Sequence, residues 1–362
     1  MARTFGNSGE TFGVATRAYL NKKFLSYIIQ NTMFDRLATL RHELPRHNSK
    51  KIEFQRWIKM SYLYFDNNVN EKLLGNAIDP SVDGSQMLLT APRGAYNAFV
   101  LPEGSSGDSK ANMKRVKMEG EVFPIGDWDS YTEEVSIFDH KWSVEEEQRQ
   151  MAELASIVID TFYRDLYSNS AALDYDISGA GAGNDSVADD AFTQACKKAG
   201  NALYLTGSST TGHMVKASPE YGTVPIYTDY LAYAHPNMIE AIADSNPDFV
   251  PVEKYAPQMR DRLEDEMGKI GRIRLIREPN AFINSTATAG EYIGEVLVFG
   301  KDHTTQIPLR GKNAVQTIIH PPGSSGTNDQ LNRVGTLGWK AWLGALTVYP
   351  ERVAKITAKF KW

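Results

Sequence analysis

The side chains best suited to proton transfer or metal binding near neutral pH are the histidines at His42, His47, His140, His213, His235, His303 and His320. None stands at a ligand or triad spacing, and no HExxH occurs, so any metal centre would have to be built wholly by tertiary proximity. Asp139-His140 has the composition of an acid/base pair and no further part of one. Glu133-Glu134 and Glu145-Glu146-Glu147 could hold a cation, but carboxylates gathered where a helix begins are ordinarily partners of its dipole. Cys196 is the single cysteine, which excludes an intramolecular disulfide and a cysteine-rich zinc site and leaves buried packing as its expected role.

The glycine-rich stretches fare no better as chemistry. Gly179-Ala180-Gly181-Ala182-Gly183 has Asn184 where a dinucleotide fingerprint needs its third glycine, and no apolar strand precedes it, so it reads as a linker. The Gly-Ser-Ser clusters at Gly104, Gly207 and Gly323 lack the GxSxG pattern, no P-loop GK[ST] occurs, and these clusters read as loop tips. Trp57, Trp128, Trp142, Trp339, Trp342 and Trp362 are spread along the chain, with only Lys340, Lys359 and Lys361 flanking such residues. That favours core or interface packing over base stacking. The residues therefore predict no catalytic group, no cofactor site and no metal site, and the chain is expected not to be an enzyme.

A chain of 362 residues is long enough for a large core in two or three lobes, and 42% hydrophobic with 23% charged residues is the balance of a globular protein. No run of eighteen apolar residues and no signal-like hydrophobic segment is present, so synthesis in the cytosol is expected, with no membrane partner. A net charge of −5 argues against a protein whose main task is gripping phosphates. The charge is uneven: up to Lys51, Lys and Arg outnumber Asp and Glu nine to three. Such a basic segment can dock on an acidic neighbour, face DNA, or form a solvated helix face.

The elements that would position these residues alternate in type. The first sixteen residues read as an extended arm. Leu20, Phe24, Ile28, Met33, Leu37 and Leu40 fall near helical spacing from Arg17 to about Arg41, ended by Pro45. Lys51 to Ile58 reads as a strand, and Lys59 to Glu121 as a long excursion rich in Asn, Gly, Ser and Pro. Ser143 and Glu146 form a capping box that opens a helix to about Tyr167, roughly 36 Å long, with Met151, Leu154, Ala155, Val158, Phe162 and Leu166 on a single apolar face. Ala188–Asn201 reads as a helix, Val224–Ala234 as a strand, and Pro236–Ala243 as a short helix with Pro in its first turn. Arg272–Arg277 reads as a strand with one dry and one charged face, and Glu291–Gly300 and Ala314–His320 as two more strands. The class is α+β.

From Asp329 to Trp362 the chain carries strand formers, among them Val334, Trp339, Trp342, Leu346 and Val348, with Gly335, Gly338 and Gly344 where another backbone could come close. This stretch is expected to be tied down rather than frayed. Its Gly335-Thr336-Leu337-Gly338-Trp339-Lys340 resembles the end of a tailed-phage major capsid protein of the N-four-like podovirus family. The order upstream is also similar: Leu101-Pro102-Glu103-Gly104 before a polar loop, Gly126-Asp127 leading into a long helix, Ala234-His235-Pro236, and Gly271 to Ile276.

The resemblance covers most of the chain after about Ile52 and implies the Hong Kong ninety-seven type (HK97-like) major capsid protein fold. It implies an amino-terminal arm over 1–50, an extended loop (E-loop) over 51–125, and a peripheral domain over 126–177 with a spine helix at 143–167. An axial domain over 178–330 and strands over 331–362 returning to the peripheral domain would follow. It further implies self-assembly into pentamers and hexamers of an icosahedral shell around double-stranded DNA, touched weakly and without sequence preference. Scaffold, portal and decoration proteins would be further partners, and the virion capsid, assembled in the host cytoplasm, the location. Arg17, Lys22, Lys23, Leu101, Glu103, Trp339 and Trp342 are the expected contacts between subunits. An encapsulin-like compartment shell shares the fold and differs in cargo. A soluble α+β enzyme with a dispersed site around His235 or the glycine-rich loops is the more distant alternative.

Overall fold

The computed structural model describes residues 33–38, 40–44, 50–57, 115–138, 144–179, 187, 190–206, 229–255, 263, 265–286, 288, 290–309, 315–323, 331 and 333–362. The expected extended arm, most of the expected 17–41 helix, the excursion between 58 and 114, the Gly181–Gly183 linker and the Ser143 cap lie outside them. In chain order the strands and helices are β1 (Leu40–Arg41), β2 (Lys51–Trp57), β3 (Arg115–Glu121), β4 (Phe123–Thr132), α1 (Glu133–Phe138), α2 (Val144–Ser170), β5 (Leu173–Asp176), α3 (Asp190–Thr206), β6 (Tyr230–Ala234) and α4 (Pro236–Ser245). Then come β7 (Val250–Pro251), β8 (Glu266–Ile270), β9 (Ile273–Arg277), β10 (Ile283–Ser285), β11 (Glu291–Phe299), β12 (Thr304–Gln306), β13 (Val315–His320), β14 (Val334–Leu343), β15 (Ala345–Thr347) and β16 (Val353–Lys361). The chain divides into two compact units, one from Met1–Ile52, Gly120–Asp165 and Thr305–Leu346, the other from Glu53–Glu119, Leu166–Thr304 and Thr347–Trp362.

In the second unit an eight-stranded sheet runs β5-β16-β11-β6-β9-β8-β7, with β10 paired to β11. Its strands β6 and β9 are parallel, register Tyr230↔Ile273 to Ala234↔Arg277, and β6 is buried at every position, as parallel strands covered on both faces are. Helix α3 packs on it through Phe192, Ala195, Cys196, Ala199, Ala202 and Leu203, a three-and-four spacing that puts all six on one stripe. Helix α4 adds Met238, Ile239, Ala241 and Ile242; it starts at Pro236, and His235 caps it by accepting from the Asn237 N–H at 3.3 Å. The carboxy-terminal stretch is indeed held: β16 pairs antiparallel with β11 from Glu291↔Lys361 to Phe299↔Val353 and parallel with β5.

Strand β9 departs from the expected dry and charged faces. Arg274 is buried because Asp229 and Glu266 enter the interior with it, at 3.0 and 3.6 Å. Tyr255 Oη donates to Glu266 Oε1 at 2.8 Å and the Leu263 N–H to Oε2 at 3.0 Å, so the charges are satisfied within the core.

In the first unit β13, β14 and β4 form a three-stranded antiparallel sheet. The register runs Val315↔Ala341 to His320↔Thr336 on one side of β14 and Phe123↔Leu343 to Thr132↔Val334 on the other. Leu337, Trp339, Ala341 and Leu343 alternate into the core. Strands cross closely here: a Cβ on Gly126 would run into the Trp339 carbonyl oxygen, and one on Gly335 into the Tyr131 ring. Gly126-Asp127 therefore lies inside a strand, and the long helix begins only at Val144.

Two further expectations are corrected in this unit. The end of the 17–41 helix is instead a 3-10 turn, Phe34–Leu37, followed by β1. The Asp160 carboxylate takes the amides of Met33 and Phe34 at 2.9 and 2.7 Å and fixes the turn there, and β1 pairs parallel with β12. Helix α2 spans Val144–Ser170, and its buried stripe is Ala152, Ala155, Ser156, Ile159, Asp160 and Tyr163, one position round from the expected face. Leu154, Ile157 and Val158 are exposed at 44%, 56% and 38%. The sequence carries apolar residues on more than one stripe, and the one with small residues is the one that packs.

Candidate assembly surfaces

Several described titratable residues are held in structural roles. His303 is fully buried between Tyr167 and Phe299, each ring centroid 5.1 Å from its own, and its Nδ1 lies 2.8 Å from Thr304 Oγ1. Burial, and secondarily the Arg352 charge, push its pKa down to about 3, so it stays neutral and is not poised for proton transfer near pH 7. Burial also lowers His235, the helix cap. Cys196 is buried on α3, and desolvation raises its thiol to about 12, which keeps it from being a nucleophile. Asp35 sits against Tyr163 and receives Gln306 Nε2 at 2.7 Å; burial raises its pKa and the Tyr163 hydrogen bond opposes that. Among the described residues no group of three or more His, Cys, Asp or Glu could hold a metal ion.

What the first unit does present is surface. On β4 every residue is exposed except Ile125, which is half-buried, and Tyr131. Cross-strand pairing puts Ile318, Gly338 and Trp128 in one row, and directly paired residues share a sheet face. Gly338 contributes no side chain, so Trp128 and Ile318, 68% and 42% exposed, stand on either side of bare backbone. They wall an open groove of about 420 Å³ whose lining also includes Gly126, His320 and Lys340. A glycine floor between exposed apolar walls suits another chain or an extended segment, with Asp127 and His320 also in the lining.

The residues expected to join subunits divide sharply. Arg17, Lys22, Lys23, Leu101 and Glu103 lie outside the described residues. Trp339 is 3% exposed and faces the core of its own sheet. Trp342 is half-buried, with Lys340 Nζ 5.0 Å from its ring centroid. Trp128 and the Leu154, Ile157, Val158 stripe are the surface residues that sequence reasoning missed. The pairing of β4 with β14 is the signal that exposes Trp128, and it is a tertiary one.

No family model and no curated protein matches the chain in sequence. Solved structures match it in fold. The capsid of the cyanophage P-SCSP1u gives a TM-score of 0.53 at 12% identity, covering 90% of this chain and 88% of that one. The bacteriophage PhiM1 mature capsid gives 0.54 at 11% identity, covering 99% and 91%. The capsid of Ralstonia phage GP4 gives 0.55 at 10% identity, covering 100% and 96%. The fold is therefore the α+β, HK97-like fold of phage capsid proteins.

Proposed function

We propose that this chain is the major capsid protein of a tailed DNA phage, a structural subunit that assembles with copies of itself into pentamers and hexamers of an icosahedral head and performs no catalysis. The observation that carries the reading is the fold match to three phage capsid chains over at least 90% of this chain and 88% of theirs. Supporting it are the exposed apolar rows of the first unit.

In this reading 1–50 is the arm, and the paired strands β2 and β3 are the root of the extended loop over 51–125. The stretch 126–177 with α2 is the peripheral domain and 178–330 the axial domain. Of the segment 331–362, β14 returns to the sheet of β4, while β16 completes the sheet of β11. The order of short motifs supports the N-four-like podovirus branch. Double-stranded DNA held by weak contact, scaffold, portal and decoration proteins are the partners this role entails, and the virion, built in host cytoplasm, is its place.

The test is the size distribution of the purified protein by sedimentation velocity, with negative-stain imaging of the fastest fraction. Closed shells, tubes or ring-shaped capsomers are expected; a monomer or dimer under all salt and pH conditions would overturn the reading. Nucleic acid inside particles purified from infected cells separates a phage head from a compartment shell filled with enzyme. Removing residues 59–114 with a short Gly-Ser bridge should leave a folded subunit unable to close shells.

A further inference from the structure

The 3-10 turn Phe34–Leu37, which precedes β1 in the first unit, is fastened through two carboxylates. Phe34 and Leu37 are buried, and Asp160 of α2 accepts the Met33 and Phe34 N–H groups at 2.9 and 2.7 Å. Asp35, half-buried in the same turn, accepts from Gln306 Nε2 of β12 at 2.7 Å, and that nitrogen also lies 2.9 Å from the Asp35 carbonyl oxygen. The Tyr163 hydroxyl of α2 donates to the Asp35 side chain as well. One acid belongs to the turn and the other to the helix beneath it, near enough that the Asp160 charge acts on Asp35. Like charges in a site partly shielded from water repel, and a proton on one of them relieves the repulsion.

We propose that Asp35 and Asp160 form a proton-operated latch at the root of the amino-terminal segment: a proton on Asp35 fastens the Phe34–Leu37 turn to α2 and β12, and its loss loosens the turn. The inference concerns the subunit by itself and goes beyond the shell reading. In that reading residues 1–50 are the arm, and the latch sets where along it the fixed part begins. The proton belongs on Asp35, because Asp160 serves two amide donors, which an anion satisfies best. Loosening here is a local event, since β1 has its own pairing with β12 and stays behind as the next fixed point.

Each element packed on the turn contributes a group that bears on Asp35. Burial raises its pKa, the Tyr163 hydrogen bond opposes the rise, Asp160 adds to it and Arg36 of the turn itself subtracts, with a net shift upward from 3.8. Tyr163 is pushed well above its ordinary 10, chiefly by burial, and so remains a donor. On the β1 side Arg41, exposed, is the register partner of Gln306, and His42 Nδ1 lies 2.8 Å from Thr305 Oγ1. With the turn open, Asp35 meets water and returns to about 3.8. Below that value it is protonated in both forms, and opening does not depend on pH. Above it, opening releases a proton, so each further pH unit makes opening about tenfold easier until the pKa of the closed turn is passed. The latch is tightest in acid and loosest near neutrality.

Hydrogen exchange of the full-length subunit, read by mass spectrometry in peptides covering Met33 to Ala38, measures the opening directly. The rates are taken from about pH 4 to about pH 7.5, each divided by the intrinsic chemical rate at that pH, with circular dichroism confirming a folded chain throughout. Protection of these amides should fall as the pH rises, by about tenfold for every unit that the closed turn adds to the Asp35 pKa. Asp35→Asn, which keeps an acceptor for Gln306 and cannot ionise, should hold the protection at its acid level across the range. Asp160→Asn still accepts the two amides but removes the like charge, so the fall should be complete at lower pH. A histidine titrates within this range, and His42→Gln should leave the profile as in wild type. Protection that does not change with pH in wild type overturns the inference. So does a fall that persists in Asp35→Asn, one unmoved in Asp160→Asn, or one abolished in His42→Gln. None of these results bears on whether the chain builds a shell, so the two readings stand or fall separately.

Discussion

Strands β16 and β4 are of nearly equal length and sit in opposite circumstances. Strand β16 lies between β11 and β5, with Phe360, Ala358, Ile356, Ala354 and Val353 fully buried and Lys355, Thr357 and Lys359 half-buried. Among the described residues strand β4 has one partner strand, and it shows solvent most of its residues. The first completes a core of its own unit; the second leaves an apolar face to solvent, which the proposed function would cover with another subunit. A shell subunit requires both kinds, because the lobe must fold before it can assemble, and the assembling face must remain open until then.

The largest effects should come from the closed region. Phe360→Ala empties a fully buried ring site stacked against Tyr292 and should cost about 3–5 kcal/mol in chemical denaturation. Arg274→Ala strands the buried carboxylates of Asp229 and Glu266 and should cost a like amount, about 3–5 kcal/mol. The exposed Arg333–Glu134 pair of the first unit should be worth at most about 1 kcal/mol. If Arg333→Ala proved as damaging as Arg274→Ala, the contrast between a self-sufficient and an open region would fail.

Acid should separate the regions further, and in opposite directions. His303 has its folded pKa lowered to about 3 from an ordinary 6.5, so between those values the unfolded chain binds the extra proton. Its stabilising contribution is complete above pH 6.5 and is lost as the pH falls toward 3, a change on the order of a few kcal/mol. His303→Phe should flatten that limb of the curve of denaturation free energy against pH. Asp35 in the first unit has its folded pKa raised above 3.8. Below pH 3.8 it is protonated in both states, and as the pH rises the unfolded chain ionises first, so folding loses stability until the folded pKa is passed. Asp35→Asn should therefore stabilise at neutral pH, measured by urea titration, and do nothing below about pH 3.8. An Asn that destabilises at pH 7 would mean that the Tyr163 and Gln306 hydrogen bonds need the charge.

The closed region is also the more legible in sequence. Helix α4 could be placed from Pro236 and β11 from its run of apolar residues, because burial against the core of the eight-stranded sheet demands an apolar pattern. Strand β4 could not, since Phe123–Thr132 contains Pro124, Gly126, Asp127 and Asp129, all poor strand formers. It is a strand because β14 imposes a ten-residue ladder upon it. The buried face of α2 differs from the expected one for a related reason. Leu154 and Val158 look like core residues until the small side chains of Ala152, Ala155 and Ser156 allow closer packing on the adjoining stripe. Where apolar residues exceed what the subunit itself buries, sequence pattern alone does not say which stripe faces inward.

The smallest effect on stability should fall at Trp128, and there the comparison is sharpest. At 68% exposure, with Gly338 beside it, this side chain gains little from its own subunit, so Trp128→Ala should change denaturation free energy by no more than about 0.5 kcal/mol. As an exposed aromatic on an open sheet face it has the character of an interface anchor, whose truncation typically costs 2 kcal/mol or more of association. The protein concentration at which particles appear in light scattering should accordingly rise by roughly tenfold or more. A variant that assembles like wild type would remove Trp128 and its groove from the contact surface. One that unfolds by more than about 2 kcal/mol would place β4 among the self-sufficient strands with β16.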